Sequence, residues 1–290
     1  MSVLAGYPTK VAPGRRVIWA REYRMSGMSL ELAGNVALTT ASSGGLGYAS
    51  AEVFARENAN VVINGRDEDA LDEAVTDLET LGDGRIVGVS GDLTDPDDIE
   101  TLVETTLDEF DRLDHLVTSA GGPPSGPFLE LDDEDWYDAF DLLVMSVVRL
   151  VREASAPLRE GDGGTIVTIT SRSVKEAIDS LVLSNSVRMS VVGLEKTLSK
   201  ELSPEVRANA VLPGPHETSR IQELVEQAVD RGEYDSYEDG IDARGSGIPL
   251  ERIGKPTELG EVVAFLSSPR SSYLNGVAVP IDGGASASNL

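Results

Sequence analysis

The chain of 290 residues contains no cysteine. That excludes disulfides and thiolate metal sites, and it leaves redox compartment unaddressed. Histidine is nearly as scarce, and His115 and His216 alone weigh against a transition-metal centre, so no metal is expected. No window approaches ~18 consecutive apolar residues, so no membrane-spanning helix is expected. Between residues 30 and 290 there is no linker, no low-complexity block and no internal repeat. Asparagine is missing from the whole stretch between Asn64 and Asn185, which matters below.

Basic charge is the other shortage. Lysine is confined to Lys10, Lys175, Lys196, Lys200 and Lys255, and 24 basic residues face 50 acids for a net charge of −26. Such a surface is a poor partner for nucleic acid. Acidic runs such as Leu131-Asp132-Asp133-Glu134-Asp135 read as solvated helix starts. The acids are spread over every segment, as adaptation to high salt would place them. At molar ionic strength the Debye length shrinks to ~3 Å, and self-repulsion is screened. A high-salt cytoplasm is therefore the expected setting. Residues 1–28 run the other way, with Lys10, Arg15, Arg16, Arg21 and Arg24 against Glu22 alone. Charges interrupt any apolar core of a targeting peptide there. A basic extension over 1–29, or an upstream start ahead of Met25 or Met28, is expected before a single domain over 30–290.

Against these absences one segment stands out, Thr40-Ala41-Ser42-Ser43-Gly44-Gly45-Leu46-Gly47. The apolar run Val36-Ala37-Leu38-Thr39 before it reads as a buried strand, and Leu46, Ala49, Val53 and Phe54 after it share one helical face. A strand, a glycine-rich turn and a helix N-terminus make an anion site, because small residues let the backbone approach and free amides meet the charge. Strand-like and helix-like segments continue to alternate, which predicts an α/β fold: a doubly wound, mostly parallel sheet covered by helices on both faces.

The segment resembles the T-G-x-x-x-G-x-G turn of the short-chain dehydrogenase/reductase family, with Ala41 at the first glycine. Further matches follow in order. Ser119-Ala120-Gly121-Gly122 resembles the N-N-A-G segment, with Thr118 and Ser119 in place of the asparagines. Thr168-Ile169-Thr170-Ser171 ends a strand at the family's active-site serine. Pro213-Gly214 and Thr218 match P-G-x-x-x-T, and Arg252, Gly254, Pro256 and Ile281-Asp282-Gly283-Gly284 match the C-terminal signature. The likeness covers roughly residues 30–285 and is nearest the 3-oxoacyl-carrier-protein reductase and glucose dehydrogenase branch. It implies a nicotinamide dinucleotide held by Thr40, Ser42, Ser43, Gly45, Leu46, Arg66, Asp92, Leu93, Ala120, Gly121, Arg188, Pro213, Gly214 and Thr218. It also implies a small carbonyl or alcohol substrate and a homodimer or homotetramer.

Cofactor choice is read after the second strand. An acid at Gly65 would bind the ribose hydroxyls of NAD and repel a 2′-phosphate. Glycine stands there instead, followed by Arg66, whose guanidinium suits a phosphate. NADP(H) is expected over NAD(H).

The catalytic positions depart from the family. Thirteen residues after Ser171, where the family has tyrosine, stands Ser184, and its lysine is replaced by Arg188. Gly193-Leu194, Lys196, Leu198 and Glu201 fix that register. The helix carrying the family's catalytic asparagine reads Leu142-Leu143-Val144-Met145-Ser146. A serine hydroxyl is no general base at neutral pH, and arginine keeps its charge but gives up no proton. Such losses remove ~10²–10⁴-fold of rate. Ser171, Ser184 and Arg188 remain the candidate catalytic set, with His216 a candidate donor weighed against an ordinary surface histidine. Two readings stay open: an NADPH-dependent ketone reductase with an altered site, or a cofactor-binding protein without turnover.

Overall fold

Every strand of the sheet is parallel to its neighbours, in the order β3-β2-β1-β4-β5-β6-β7. The molecule is seen in a computed structural model that describes residues 29–288, so the basic extension, apart from Ser29, lies outside the described residues. The strands are β1 Val36–Thr39, β2 Asn60–Gly65, β3 Ile86–Ser90, β4 His115–Thr118, β5 Gly164–Ile169, β6 Val206–Pro213 and β7 Ala278–Ile281. Helices α1 Gly45–Arg56, α2 Glu68–Glu79, α3 Pro96–Phe110, α4 Asp133–Phe140 and α5 Ser146–Ala154 connect the first five. Helices α6 Val182–Glu201, α7 Ser219–Asp230, α8 Tyr237–Gly245 and α9 Pro256–Ser267 complete the chain.

The apolar runs are continuous because the central strands are covered on both faces. All four residues of β1 and all six of β5 are buried. Side chains alternate between two cores. Leu38, Val62, Leu116 and Ile166 pack with Ile99, Leu102, Leu150 and Leu183 from α3, α5 and α6. Ala37, Val61, Val117 and Val167 pack with Phe54, Leu78, Leu259 and Val263 from α1, α2 and α9. The edge strand β7 is only half covered and carries Pro280.

Acids open several helices as expected. Asp67 accepts from the Ala70 N–H at 3.0 Å, Asp95 from the Asp97 N–H at 2.9 Å, and Asp132 from the Glu134 N–H at 3.0 Å. From β1 the chain runs outward to β2 and β3, then returns to place β4 on the other side of β1. That reversal opens a crevice at the carboxyl ends of β1 and β4, where ligands of such sheets bind. Between α4 and α5 the helix widens to a π turn over Asp141–Met145.

Candidate active site

The turn after β1 is pinned before it meets any ligand. Ala41 takes a left-handed φ of 45°, which explains why the family favours glycine at this position. Its N–H donates to Asn64 Oδ1 at 3.2 Å, and the Ser42 N–H to the Asn64 carbonyl at 2.7 Å. Thr40 and Ser42 were expected against the cofactor, yet both are fully buried. The Thr40 hydroxyl donates to the Ser119 carbonyl at 2.8 Å and accepts from its N–H at 2.9 Å. The Ser42 hydroxyl donates to the Thr39 carbonyl at 2.6 Å and accepts from the Asn64 N–H at 3.1 Å. Both hydroxyls satisfy backbone groups that the turn would otherwise bury unpaired, so they tie the loop to β2 and β4. Gly47 lets α1 start against this loop: a Cβ there would stand 2.5 Å from the Ala41 carbonyl oxygen.

The amino end of α1 is bare. Gly44 precedes it, no side chain caps it, and its first turn holds no acid, whereas α2, α3 and α4 each open on an aspartate cap followed by acids. Beside the glycine turn, such a helix start suits an incoming anion.

Two clefts adjoin this loop, sharing Ala41, Gly44, Gly121 and Gly122. The first, about 350 Å³, is lined by Ser43, Gly65, Arg66, Asp92 and Leu93 among others. Gly65 is pressed on Ser43, where a Cβ would lie 2.7 Å from the serine Oγ, so a side chain at 65 and Ser43 exclude one another. The Arg66 guanidinium is exposed and stands 3.7 Å from an Asp92 carboxylate oxygen. Hydrogen bonds from the Thr94 N–H and hydroxyl hold the Asp92 carboxyl below its ordinary range, with a smaller pull from Arg66. The second cleft, about 300 Å³, is lined by Gly45, Leu46, Ala120, Thr170, Arg188 and Thr218 among others. Pro213 and Gly214 line neither cleft. Instead the Gly214 N–H donates to the Ile281 carbonyl at 2.9 Å, and a Cβ there would meet the Asp282 Cα at 2.7 Å. These two residues join the end of β6 to β7.

Of the candidate catalytic residues, Arg188 alone lines the second cleft. Among the described residues no carboxylate pairs with it, and its Nε is buried without a partner. Burial lowers its pKa to about 10, which leaves it a cation at neutral pH. Ser184 is buried, with its Oγ 3.1 Å from that of Ser173. Ser171 Oγ accepts from the Ser173 N–H at 3.1 Å. Ser173, which sequence reasoning passed over, therefore stands between the two serines. On the stretch that carries the family's asparagine, the π turn presents Leu143 to a small cavity beside Arg188.

Behind that cavity lies a polar chain the sequence reading also missed. The Thr118 hydroxyl donates to Thr168 Oγ1 at 2.8 Å, and the Thr168 hydroxyl donates to buried Glu195. Burial pushes the Glu195 carboxyl up to about 8. The available signal was an acid on the apolar stripe Leu183, Val187 and Val191 of α6. Of the two alternatives for His216, the surface histidine is excluded. The ring is buried, its Nδ1–H donates to the Gly214 carbonyl at 2.9 Å, and burial lowers its pKa. It lines a separate cavity of about 520 Å³ with Arg252 and Glu258. In the α7–α8 region Tyr237 donates to Glu217 at 2.9 Å. Glu176 faces Arg172 at 3.7 Å.

The same arrangement of sheet, glycine turn and crevice recurs in known proteins. The enoyl-(acyl carrier protein) reductase family matches residues 40–286. The chain belongs to this family and is a short-chain dehydrogenase/reductase. Dehydrogenase/reductase SDR family member 4 of Caenorhabditis elegans is 31% identical over 256 residues, which cover 88% of this chain and 96% of the relative. A 3-oxoacyl-[acyl-carrier-protein] reductase of Thermotoga maritima is 30% identical over 88% of this chain and 99% of its own length. L-Sorbose reductase from Gluconobacter frateurii, solved with NADPH and L-sorbose, superposes with a TM-score of 0.85 at 31% identity, over 89% of this chain and 98% of that one.

Proposed function

We propose that this short-chain family member is an NADPH-dependent reductase of a ketone, 3-oxoacyl-like in kind, working without the family's tyrosine. The observation that carries the reading is Arg188, an unpaired guanidinium at the floor of the crevice where β1 and β4 part. A half-buried cation without a counter-charge is stabilised when negative charge develops beside it. Two of the relatives named above, the 3-oxoacyl reductase and the sorbose reductase, act on carbonyl substrates by their names, and the latter was solved with NADPH.

The residues present fit a phosphorylated dinucleotide. The bare start of α1 would hold the pyrophosphate, Asp92 and Leu93 the adenine, and Ser43 with Arg66 the 2′-phosphate. When bound, the cofactor supplies the hydride. Arg188 would then hold the nicotinamide ribose and polarise the substrate oxygen. Gly45, Leu46, Ala120, Gly121 and Thr218 would shape the wall. Ser171 would orient the substrate after release from Ser173. Residues 30–290 act as one domain in this reading, in a salt-rich cytoplasm. Assembly into a homodimer or homotetramer is part of it, supported by an apolar groove between α5 and α6 formed by Val148, Val151, Leu194 and Leu198.

The second reading, cofactor binding without turnover, is favoured by one observation: Ser184 turns to Ser173 and lies outside the cleft lining. Following NADPH consumption in molar KCl across a panel of ketones separates the two. Consumption that Arg188→Ala abolishes supports the reductase. Tight NADPH binding with no consumption by any ketone supports the second reading.

A further inference from the structure

The cleft as described gives a substrate oxygen positive charge but no transferable proton. Arg188 holds its protons at neutral pH, Ser184 is tied to Ser173, and His216 lines a different cavity. An acid does lie behind the cleft. Glu195 is 2% exposed, seven residues along α6 from Arg188, with Val191 between them on the same face. That separation is about 10 Å along the axis, and neither Arg188 Nε nor Glu195 Oε2 finds a partner.

A small cavity fills the interval. Its walls include Thr118, Thr168, Val191 and Arg188, and its volume of about 10 Å³ is close to what one water molecule needs. It shares Ser119, Ala120, Ile169, Thr170 and Arg188 with the cleft, so it adjoins the place where a substrate carbonyl would sit. From its wall, Thr118 is bonded to Thr168 at 2.8 Å, and Thr168 to Glu195. Among the described residues Glu195 makes no ion pair, and its one hydrogen bond is the one from Thr168. On its own helix Arg188 is the charged group of the same face. Glu195 Oε2 is buried without a partner. Desolvation alone accounts for the raised pKa of about 8, with the Thr168 hydrogen bond acting against it. The carboxyl is therefore protonated at neutral pH.

We propose that Glu195 is the proton store of this site, passing its proton through the Thr168 and Thr118 hydroxyls to the cavity beside Arg188, where the reduced carbonyl oxygen takes it up. The inference rests on the reductase reading. In the step, the carbonyl carbon gains a hydride and its π bond to oxygen breaks. The bonds from Thr118 to Thr168 and from Thr168 to Glu195 are those of the carboxylate state. With Glu195 protonated the hydroxyls turn round, Glu195 donating to Thr168, Thr168 to Thr118 and Thr118 into the cavity. The oxygen thus gains a proton, each hydroxyl gives up one and receives the next, and Glu195 is left as a carboxylate. The hydride comes from a reduced nicotinamide dinucleotide, which ends oxidised, and solvent later returns the proton to Glu195. Glu195 touches neither substrate nor cofactor here; it acts through Thr168.

Two measurements on the full chain in molar KCl test this. Infrared difference spectra, wild type minus Glu195→Gln, should show a protonated-carboxyl band at neutral pH that disappears with a midpoint near 8. An ionised Glu195 at neutral pH overturns the proposal. In single-turnover oxidation of NADPH by a ketone, Glu195→Gln and the shape-conserving Thr168→Val should each lose ~10²-fold in rate, at unchanged NADPH affinity. The wild type should lose rate above the midpoint seen in the infrared. Either variant turning over at the wild-type rate, or a wild-type rate indifferent to pH, overturns the relay and leaves the reductase reading standing. A wild type that never oxidises NADPH overturns the reductase reading and the relay with it, whatever the carboxyl band shows.

Discussion

At the scale of single residues, the proposed cofactor preference rests on Arg66 and Gly65. The exposed Arg66 is available to a 2′-phosphate, while the contact of Gly65 with Ser43 leaves no room for the acid that would bind unphosphorylated ribose. NADPH should bind at least several-fold tighter than NADH in a fluorescence titration, and Arg66→Ala should erase the difference. Equal affinities in the wild type would show that Arg66 has no such role. Glu195 makes a separate claim on stability. Its folded-state pKa of about 8 lies above the 4.5 of an ordinary glutamate. As pH rises through that window the folded state keeps a proton that the unfolded chain has lost, so folding weakens. Glu195→Gln has no such loss. Its melting temperature relative to wild type should therefore climb between those two pH values, and a constant offset would contradict the buried neutral acid. The altered catalytic pair is also open to reversal. Ser184→Tyr with Arg188→Lys restores the family pattern and should speed oxidation of the corresponding alcohol at neutral pH, where Glu195 is protonated and the wild type has no ionised base near the cleft. No gain in that direction would show that the pocket around Ser173 no longer admits the tyrosine.

At the scale of elements, the loop after β1 stores a small strain. Ala41 sits at a φ of 45°, which costs a residue with a Cβ roughly 1–2 kcal/mol, against the ~0.5–1 kcal/mol that glycine loses in chain entropy. Ala41→Gly should raise the melting temperature slightly. A clear drop would mean that the methyl packs better than its backbone suffers. Strands and helices were legible from the sequence because the central strands are covered on both sides and read as unbroken apolar runs, as in Val36–Thr39, and because acids mark the helix starts at Asp67, Asp95 and Asp132. The crevice was legible too, since Ser43, Arg66, Asp92, Leu93 and Arg188 all line it. Side-chain direction was not. A hydroxyl in a motif carries no sign of whether it faces a ligand or a buried backbone group, and Thr40 and Ser42 face the backbone. His216 looked like a loop residue because its burial comes from Gly254, far away in sequence. The same holds for Glu195, whose partner Thr168 is on another element.

For the whole molecule, charge governs the conditions under which any of this can be observed. A net charge of −26 repels itself in dilute buffer, and the ion pairs described, such as Arg85–Glu109 and Arg252–Glu258, lie at the surface and contribute little each. Melting temperature should rise steeply from dilute buffer to molar KCl, where the Debye length falls to ~3 Å. A flat response would contradict adaptation to salt. Assays in dilute buffer would confuse an unfolded protein with an inactive one, so high salt is the proper medium for the deciding experiment. The central claim is that a short-chain family fold lacking its tyrosine still transfers hydride, with Arg188 holding the charge. Incubating the protein in molar KCl with a ketone panel and NADPH deuterated at the transferable position tests it directly. The account predicts an alcohol carrying one deuterium at the former carbonyl carbon, formed by the wild type and absent with Arg188→Ala. Deuterium remaining wholly on the cofactor with every ketone, in a protein shown to be folded and to bind NADPH, would contradict it.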